Sequence, residues 1–207
     1  MEKPYEIINN QRVFNFKKTL RYLQYLGKSK YGEEFKIHRS DVKTFHRLII
    51  YMIHEDRKCE KYNIDLKKGI LLIGPIGSGK TTIMSLLRVF LFKQQLYTIK
   101  SSRDIALEYQ RDGVDVINKY GKKHQPLFID DLGVENTSKF YGNECNTIGE
   151  ILLQRYELLT NYQIVTHATT NLNADELEQL YGNRVRSRLR TMFNLITFPT
   201  TTKDKRK

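Results

Sequence analysis

The segment Gly74-Pro75-Ile76-Gly77-Ser78-Gly79-Lys80-Thr81 concentrates more potential chemistry than any other part of this chain. It fits G-x-x-x-x-G-K-[ST], follows an apolar run at Gly69–Ile73 and precedes helical periodicity from Thr81 to Phe92. Glycines at these spacings let successive backbone N–H groups turn inward around phosphate oxygens, and the helix that follows adds its positive dipole end. Lys80 is expected to reach the β and γ phosphates of ATP, Thr81 to offer a hydroxyl to Mg2+, and Thr82 to complete the binding turn. A glycine turn with an incidental Gly-Lys-Thr is the plain alternative. The strand before and the helix after argue against it.

A second group is Pro126-Leu-Phe-Ile-Asp130-Asp131, an apolar strand that delivers two acids at its carboxyl end. Read alone, such acids cap a turn or a helix. Downstream of a P-loop they read as a Walker B element: Asp130 holds Mg2+, directly or through water, and Asp131 polarises the attacking water. Glu135 is the second candidate base. Thr169-Thr170-Asn171 ends the next strand, where the Asn171 amide can orient the lytic water and sense the γ-phosphate. A polar strand-to-helix turn is the alternative there.

The elements that must position these groups alternate. Strands are expected at 69–73, 96–100, 127–129, 164–168 and 195–198, and helices at 81–92, 104–119, 146–159, 174–181 and 183–191. Alternation of this kind predicts a P-loop α/β fold, an α/β/α sandwich with a parallel sheet and ligands at the carboxyl ends of the strands. Ser40-Asp41 can cap a helix over 41–56, whose Phe45, Leu48, Ile49, Met52 and Ile53 recur at helical spacing. The organisation expected is a basic, mostly helical segment at 1–60, an ATPase core at 61–198 and a disordered basic tail at 199–207.

With 207 residues the chain has room for one α/β domain with a short appendage. No apolar run approaches the roughly 20 residues of a membrane helix, and the N-terminus lacks a secretory plan, so a soluble cytoplasmic protein is expected. Cys59 and Cys145 lie far apart, and the five histidines show no metal-ligand pattern. The net charge of +12 is unevenly spread: residues 1–68 carry +7, residues 69–183 carry −2, and residues 184–207 carry +7. Basic flanks of this kind are a solvated surface or a polyanion-binding one.

Taken together, these residues resemble the DnaC, DnaI and IstB group of AAA+ ATPases, helicase loaders and transposition helper proteins. The resemblance rests on Gly74–Thr81, Phe128-Ile-Asp-Asp-Leu-Gly-Val-Glu135, Ile151-Leu-Leu-Gln-Arg-Tyr156, Thr169-Thr-Asn-Leu172 and Tyr181-Gly-Asn-Arg-Val-Arg-Ser-Arg-Leu189. These run in the family's order over about residues 65–198. The resemblance implies that Arg188 is an arginine finger reaching the nucleotide of a neighbouring subunit, an effect worth ~10³–10⁵ in rate in other P-loop enzymes. Arg184 is then a helper. If instead Arg184, Arg186, Arg188 and Arg190 line a solvated helix, alternate spacing spreads them over several faces. A finger acting in trans requires head-to-tail contacts, which close into a ring or run on as a filament. The pattern departs from the family in two places: residues 1–60 do not match the helicase-binding domain of DnaC and DnaI, and no helical lid, and so no sensor-2 arginine, is expected after the last strand.

DNA is the partner this resemblance implies, with a helicase or a transposase as protein partner. Phe14, Phe16, Lys17, Lys18, Arg21, Tyr22 and Tyr25 interleave aromatics with cations, as a single-strand-binding surface does. An amphipathic helix packed on the core is the reading favoured for the aromatic positions. The expected activity is ATP hydrolysis in an oligomer used as an assembly switch. The competitors are a P-loop kinase of a small acceptor and a non-hydrolysing ATP-dependent adaptor.

Overall fold

Runs such as Gly69-Ile-Leu-Leu-Ile73 offer no polar face to water, so a sheet built from them has to be covered on both sides. The computed structural model, which describes residues 3–135, 138–140 and 143–205, has this plan. The chain opens with β1 (Tyr5–Ile8), β2 (Gln11–Phe14), α1 (Phe16–Tyr31), a 3-10 turn at Arg39–Asp41, α2 (Val42–Met52) and α3 (Asp56–Lys61). It continues through β3 (Gly69–Ile73), α4 (Lys80–Leu87), β4 (Thr98–Ser101), α5 (Ser102–Asp112), α6 (Val114–Gly121) and β5 (Leu127–Leu132). A hairpin of β6 (Ser138–Phe140) and β7 (Asn143–Cys145) leads to α7 (Thr147–Tyr162), β8 (Thr166–Thr170), α8 (Ala174–Met192) and β9 (Phe193–Thr197).

The main sheet has the order β4-β5-β8-β3-β9, with every neighbouring pair parallel. Its two faces belong to two cores. Ile70 and Leu72 join Leu23, Phe45, Leu48, Ile83 and Met84 on one side, whereas Leu71, between them, joins Ile105, Ile148, Ile151 and Val185 on the other. This is the two-residue alternation of a strand buried on both faces. No helix among the described residues is long and apolar enough to cross a membrane.

Differences from the sequence expectation have local causes. The helix expected over 104–119 is two, α5 and α6, divided at Gly113. The two helices expected at 174–181 and 183–191 form one element, α8, broken inside by the non-helical Gly182 at φ 81° and ψ 163°. The hairpin β1–β2 was not expected; it turns on Asn9 and Asn10, both at positive φ, as a tight two-residue hairpin requires. Asn15 then caps α1 by accepting from Lys18 N. The aromatics of this segment mostly face inward. Phe14 meets the edge of Phe90, Phe16 meets His46, and Tyr22 lies beside Phe90, while Tyr25 is exposed.

At the amino-terminal end of β8, polar groups are enclosed and paired. The Arg155 side chain, 0% exposed, donates to Thr166 Oγ1 at 2.7 Å and to the carbonyls of Lys123, Gln125 and Val165 at 2.7, 3.0 and 3.0 Å. It ties α7 to the starts of β5 and β8; burial lowers its pKa to about 10. Next to it, His167 Nδ1 accepts from Ile70 N–H at 3.1 Å, and its ring is wedged between Tyr51 and Tyr97. Burial, with the Arg155 charge, pushes this imidazole down to about 3.

After β9 the chain also departs from expectation. Where the sequence reads as a disordered tail, residues 198–205 run along the P-loop. Phe198 N donates to Ile73 O at 2.8 Å, Lys205 N to Gly77 O at 3.1 Å, and Lys205 Nζ to Ser78 O at 2.7 Å. The same ammonium is paired with Asp41, which is 1% exposed. A lysine and an aspartate that neutralise each other against a backbone groove are held in place, which the bulk composition of 199–207 does not reveal. Arg206 and Lys207 lie outside the described residues.

Candidate nucleotide site

The P-loop, residues 74–81, emerges from the carboxyl end of β3 between β8 and β9. Gly74 N donates to Thr170 O at 3.3 Å, which ties the loop's first residue to the end of β8. Gly77 and Gly79 have φ of 73° and 89°, conformations that residues with a side chain rarely adopt. They turn the chain so that α4 begins at Lys80. Ile76 is exposed at the loop tip, and Ser78 is buried beneath it. Lys80 is buried and curls back into the loop, donating to Gly74 O at 2.9 Å and Pro75 O at 3.1 Å. Its ammonium is thereby held inside the loop rather than in solvent.

The acids come from β5. Pairing of β5 with β8 shifts register between Ile129 and Leu132, and Asp131 has φ 54°. A bulge at this point re-aims the two side chains, as bulges beside functional sites do. Asp130 turns toward α4: Thr81 donates its hydroxyl to Asp130 Oδ1 at 3.0 Å, and Thr169 donates to the same oxygen. Thr169 Oγ1 in turn accepts from Asp131 N–H at 2.8 Å, and Ser102 Oγ donates to Asp131 O at 2.6 Å. Burial holds the Asp130 carboxyl above the usual carboxylate range; Asp131 pushes the same way, while the Thr169 and Thr81 hydroxyls and Lys80 oppose it. A carboxylate and a hydroxyl oxygen 3.0 Å apart at the start of α4 are the hard oxygen donors that magnesium takes, so these residues fit that ion.

Asp131 faces a cleft of about 480 Å³ lined by Ser101, Arg103, Leu107, Val134 and Glu135 among others. Glu135 is fixed across that cleft, accepting from Gly133 N at 2.9 Å and from the Tyr181 hydroxyl. Of the two candidate bases, Glu135 is therefore committed to partners within the chain. Asn171 lies exposed just beyond β8, one residue after the carbonyl that holds the P-loop. Thr82 is half-buried on the first turn of α4.

Arg188 stands apart from this cluster. Its guanidinium carbon lies 4.3 Å from the centre of the Tyr156 ring, so α7 supplies a flat aromatic seat for a cation on α8. Arg184, one helical turn earlier, is exposed, and Arg186 is directed toward Glu178 at 3.9 Å. These three arginines thus divide among different surroundings.

Sequence reasoning overlooked three of these groups. Thr169, which joins the two acids, stood beside the residue singled out at the end of β8. Tyr156 and Tyr181 stood within quoted motifs without a role. A phenol three residues before the start of an arginine series, and another on the preceding helix, give no spacing signal of their own.

The parallel sheet and the loop after β3 define an α/β P-loop NTPase fold. No family model matches the chain, and no curated protein matches it in sequence. Solved structures do. The DnaC helicase loader superposes with a TM-score of 0.57 at 18% identity, over 80% of this chain and 93% of that one. A protein assigned as a primosome component of Streptococcus pyogenes serotype M3 gives 0.56 at 19%, over 80% and 83%. DnaI gives 0.52 at 20%, over 80% and 88%. The chain therefore has the fold of the DnaC/DnaI-like AAA+ proteins.

Proposed function

We propose that this chain is a cytoplasmic AAA+ ATPase that binds and hydrolyses ATP with Mg2+ and works on DNA as an assembly switch for a helicase. The observation that carries the reading is the convergence of Thr81 and Asp130, 3.0 Å apart, beside a P-loop whose lysine is already turned inward. Lys80 and the loop's N–H groups would grip the phosphates, and Thr81 with Asp130 would hold the metal, which when bound neutralises charge on the phosphate oxygens. Asp131 would accept a proton from the attacking water and Asn171 would orient it. Arg188, seated on Tyr156, would reach an adjoining subunit's nucleotide, so turnover would need a head-to-tail assembly.

Similarity in fold to helicase loaders supports a helicase as the protein partner over a transposase. The basic flanks support DNA; if about six cations meet a single strand, affinity falls with salt at a log–log slope of about −4. Measuring ATP turnover with and without single-stranded DNA, at several protein concentrations, tests the proposal. Turnover that rises with concentration and DNA is the expected result. No magnesium-dependent ATP binding at any concentration would remove it, and turnover by a dilute monomer without DNA would favour a kinase-like enzyme.

A further inference from the structure

The segment after β9 meets the P-loop at its first residue and again at Gly77 and Ser78. Phe198 covers Gly74, where an added methyl would fall 2.8 Å from Phe198 Cβ, and a methyl on Gly77 would fall 2.0 Å from Asp204 Oδ1. Thr202 is buried between these points, and its N–H closes a turn onto Pro199 O at 3.0 Å. At the end of the run, Lys205 donates from its backbone to Gly77 O and from its side chain to Ser78 O. The ammonium is anchored from behind by Asp41, a buried carboxylate contributed by the turn before α2. Lys205 thus joins two consecutive P-loop carbonyls to a carboxylate from the turn before α2.

The consequence follows from the geometry of the peptide unit. In a trans peptide the C=O and N–H bonds point in opposite directions. A cation bound to Ser78 O therefore fixes the Gly79 N–H in the direction away from Lys205, and that N–H is one of the loop donors a phosphate would meet. Gly79 is the residue of this loop least able to hold an orientation alone: it has φ 89°, and no heavy atom lies within 4 Å of where a Cβ would be. A flexible glycine peptide pinned through its preceding carbonyl costs less to order when an anion arrives.

We infer that residues 198–205 are a strap that presets the P-loop, and that Lys205, held by Asp41, is a positioning residue for nucleoside triphosphate binding. The inference rests on the nucleotide-binding reading above. Lys205 touches the loop's backbone rather than the ligand, so its effect falls on affinity, with turnover at saturating ATP unchanged.

The test compares wild type with Lys205→Met, Lys205→Arg and the double variant Asp41→Asn/Lys205→Met. Three readouts are taken: Mg-ATP affinity, melting temperature, and the Gly79 amide resonance of labelled protein without nucleotide. Lys205→Met leaves a buried carboxylate unpaired and can lower the melting temperature; the double variant removes that charge and restores it. The expected result is that both variants bind Mg-ATP about tenfold more weakly, the scale of one charged hydrogen bond, and both shift the Gly79 amide. Lys205→Arg recovers both readouts. A double variant that melts normally, keeps wild-type affinity and leaves the Gly79 resonance in place overturns the strap. Wild type that binds no Mg-ATP overturns the nucleotide reading itself; an unmoved Gly79 amide with wild-type ATP binding intact overturns only the inference.

Discussion

The two ends of strand β8 carry similar polar residues and use them differently. At the amino-terminal end, Thr166 and His167 are enclosed with Arg155, which donates to the Thr166 hydroxyl and to three backbone carbonyls. At the carboxyl end, Thr169 and Thr170 bond to Asp130 and to Leu132 O, and Asp131 beside them opens onto a cleft. One end closes its polar groups to water; the other holds them ready near a cavity. Buried polarity at the first end specifies how α7, β5 and β8 fit together, whereas at the second it fixes the aim of groups that would act on a ligand. Substitutions at the closed end should therefore cost stability, and those at the open end should cost turnover.

The largest effect expected lies outside the open cluster, at Arg188, whose seat on Tyr156 belongs to α7. Arg188→Ala should lower turnover of the assembled protein about a thousandfold while leaving Mg-ATP affinity of the dilute chain unchanged, the lower range for a supplied arginine. Rates at saturating ATP and high protein concentration check this; unchanged turnover would return Arg188 to being a cation stacked on Tyr156 and nothing more. At the closed end, Arg155→Met strands the Lys123, Gln125 and Val165 carbonyls and should cost about 3–5 kcal/mol in urea unfolding. If its denaturation midpoint matched wild type, the contrast between the two ends would fail. Asp131→Asn comes third, with turnover about a hundredfold lower, the lower range for a general base, and an unfolding curve that overlays wild type.

The contrast also shows how much was legible in the sequence. The placement of the candidate groups at the open end was legible, because Gly74–Thr81 and Asp130-Asp131 are set by fixed spacing along one loop and one strand. The five-stranded parallel sheet followed from apolar runs alternating with helical periodicity, and the break at Gly182 was marked by the glycine itself. The closed end was not readable: nothing in the spacing of α7 sets Arg155 apart, and only the fold brings it to the carbonyls of Lys123 and Gln125, some thirty residues earlier. Lys205 was obscured for the same reason, since pairing with Asp41 joins residues at opposite ends of the chain. The hairpin of β1 and β2 did leave a trace, Asn9-Asn10 between short β-prone runs, but its four-residue strands are too brief for periodicity to stand out.

The smallest effect discriminates most finely, because it isolates one group of the closed end. His167 is buried as the neutral imidazole, with Nδ1 accepting from Ile70 N–H, so its proton resides on Nε2. Its folded pKa, about 3, lies below the ordinary value of 6.5. Above pH 6.5 both folded and unfolded chains hold it neutral and it contributes no pH dependence. As pH falls below 6.5 the unfolded chain takes up a proton that the folded chain refuses, so stability declines until the pH reaches the folded value. Between pH 6.5 and 5, where carboxylates are still ionised, this amounts to about 2 kcal/mol. His46 and His54 are also lowered by burial, so part of any slope is theirs. The measurement is consequently a difference: urea unfolding of wild type and of His167→Gln, whose amide oxygen can still accept from Ile70, at pH 7, 6 and 5. Wild type should lose about 2 kcal/mol more than the variant over that range. Parallel curves would mean that protonated imidazole is tolerated at this position, and the amino-terminal end of β8 would then be open to water after all.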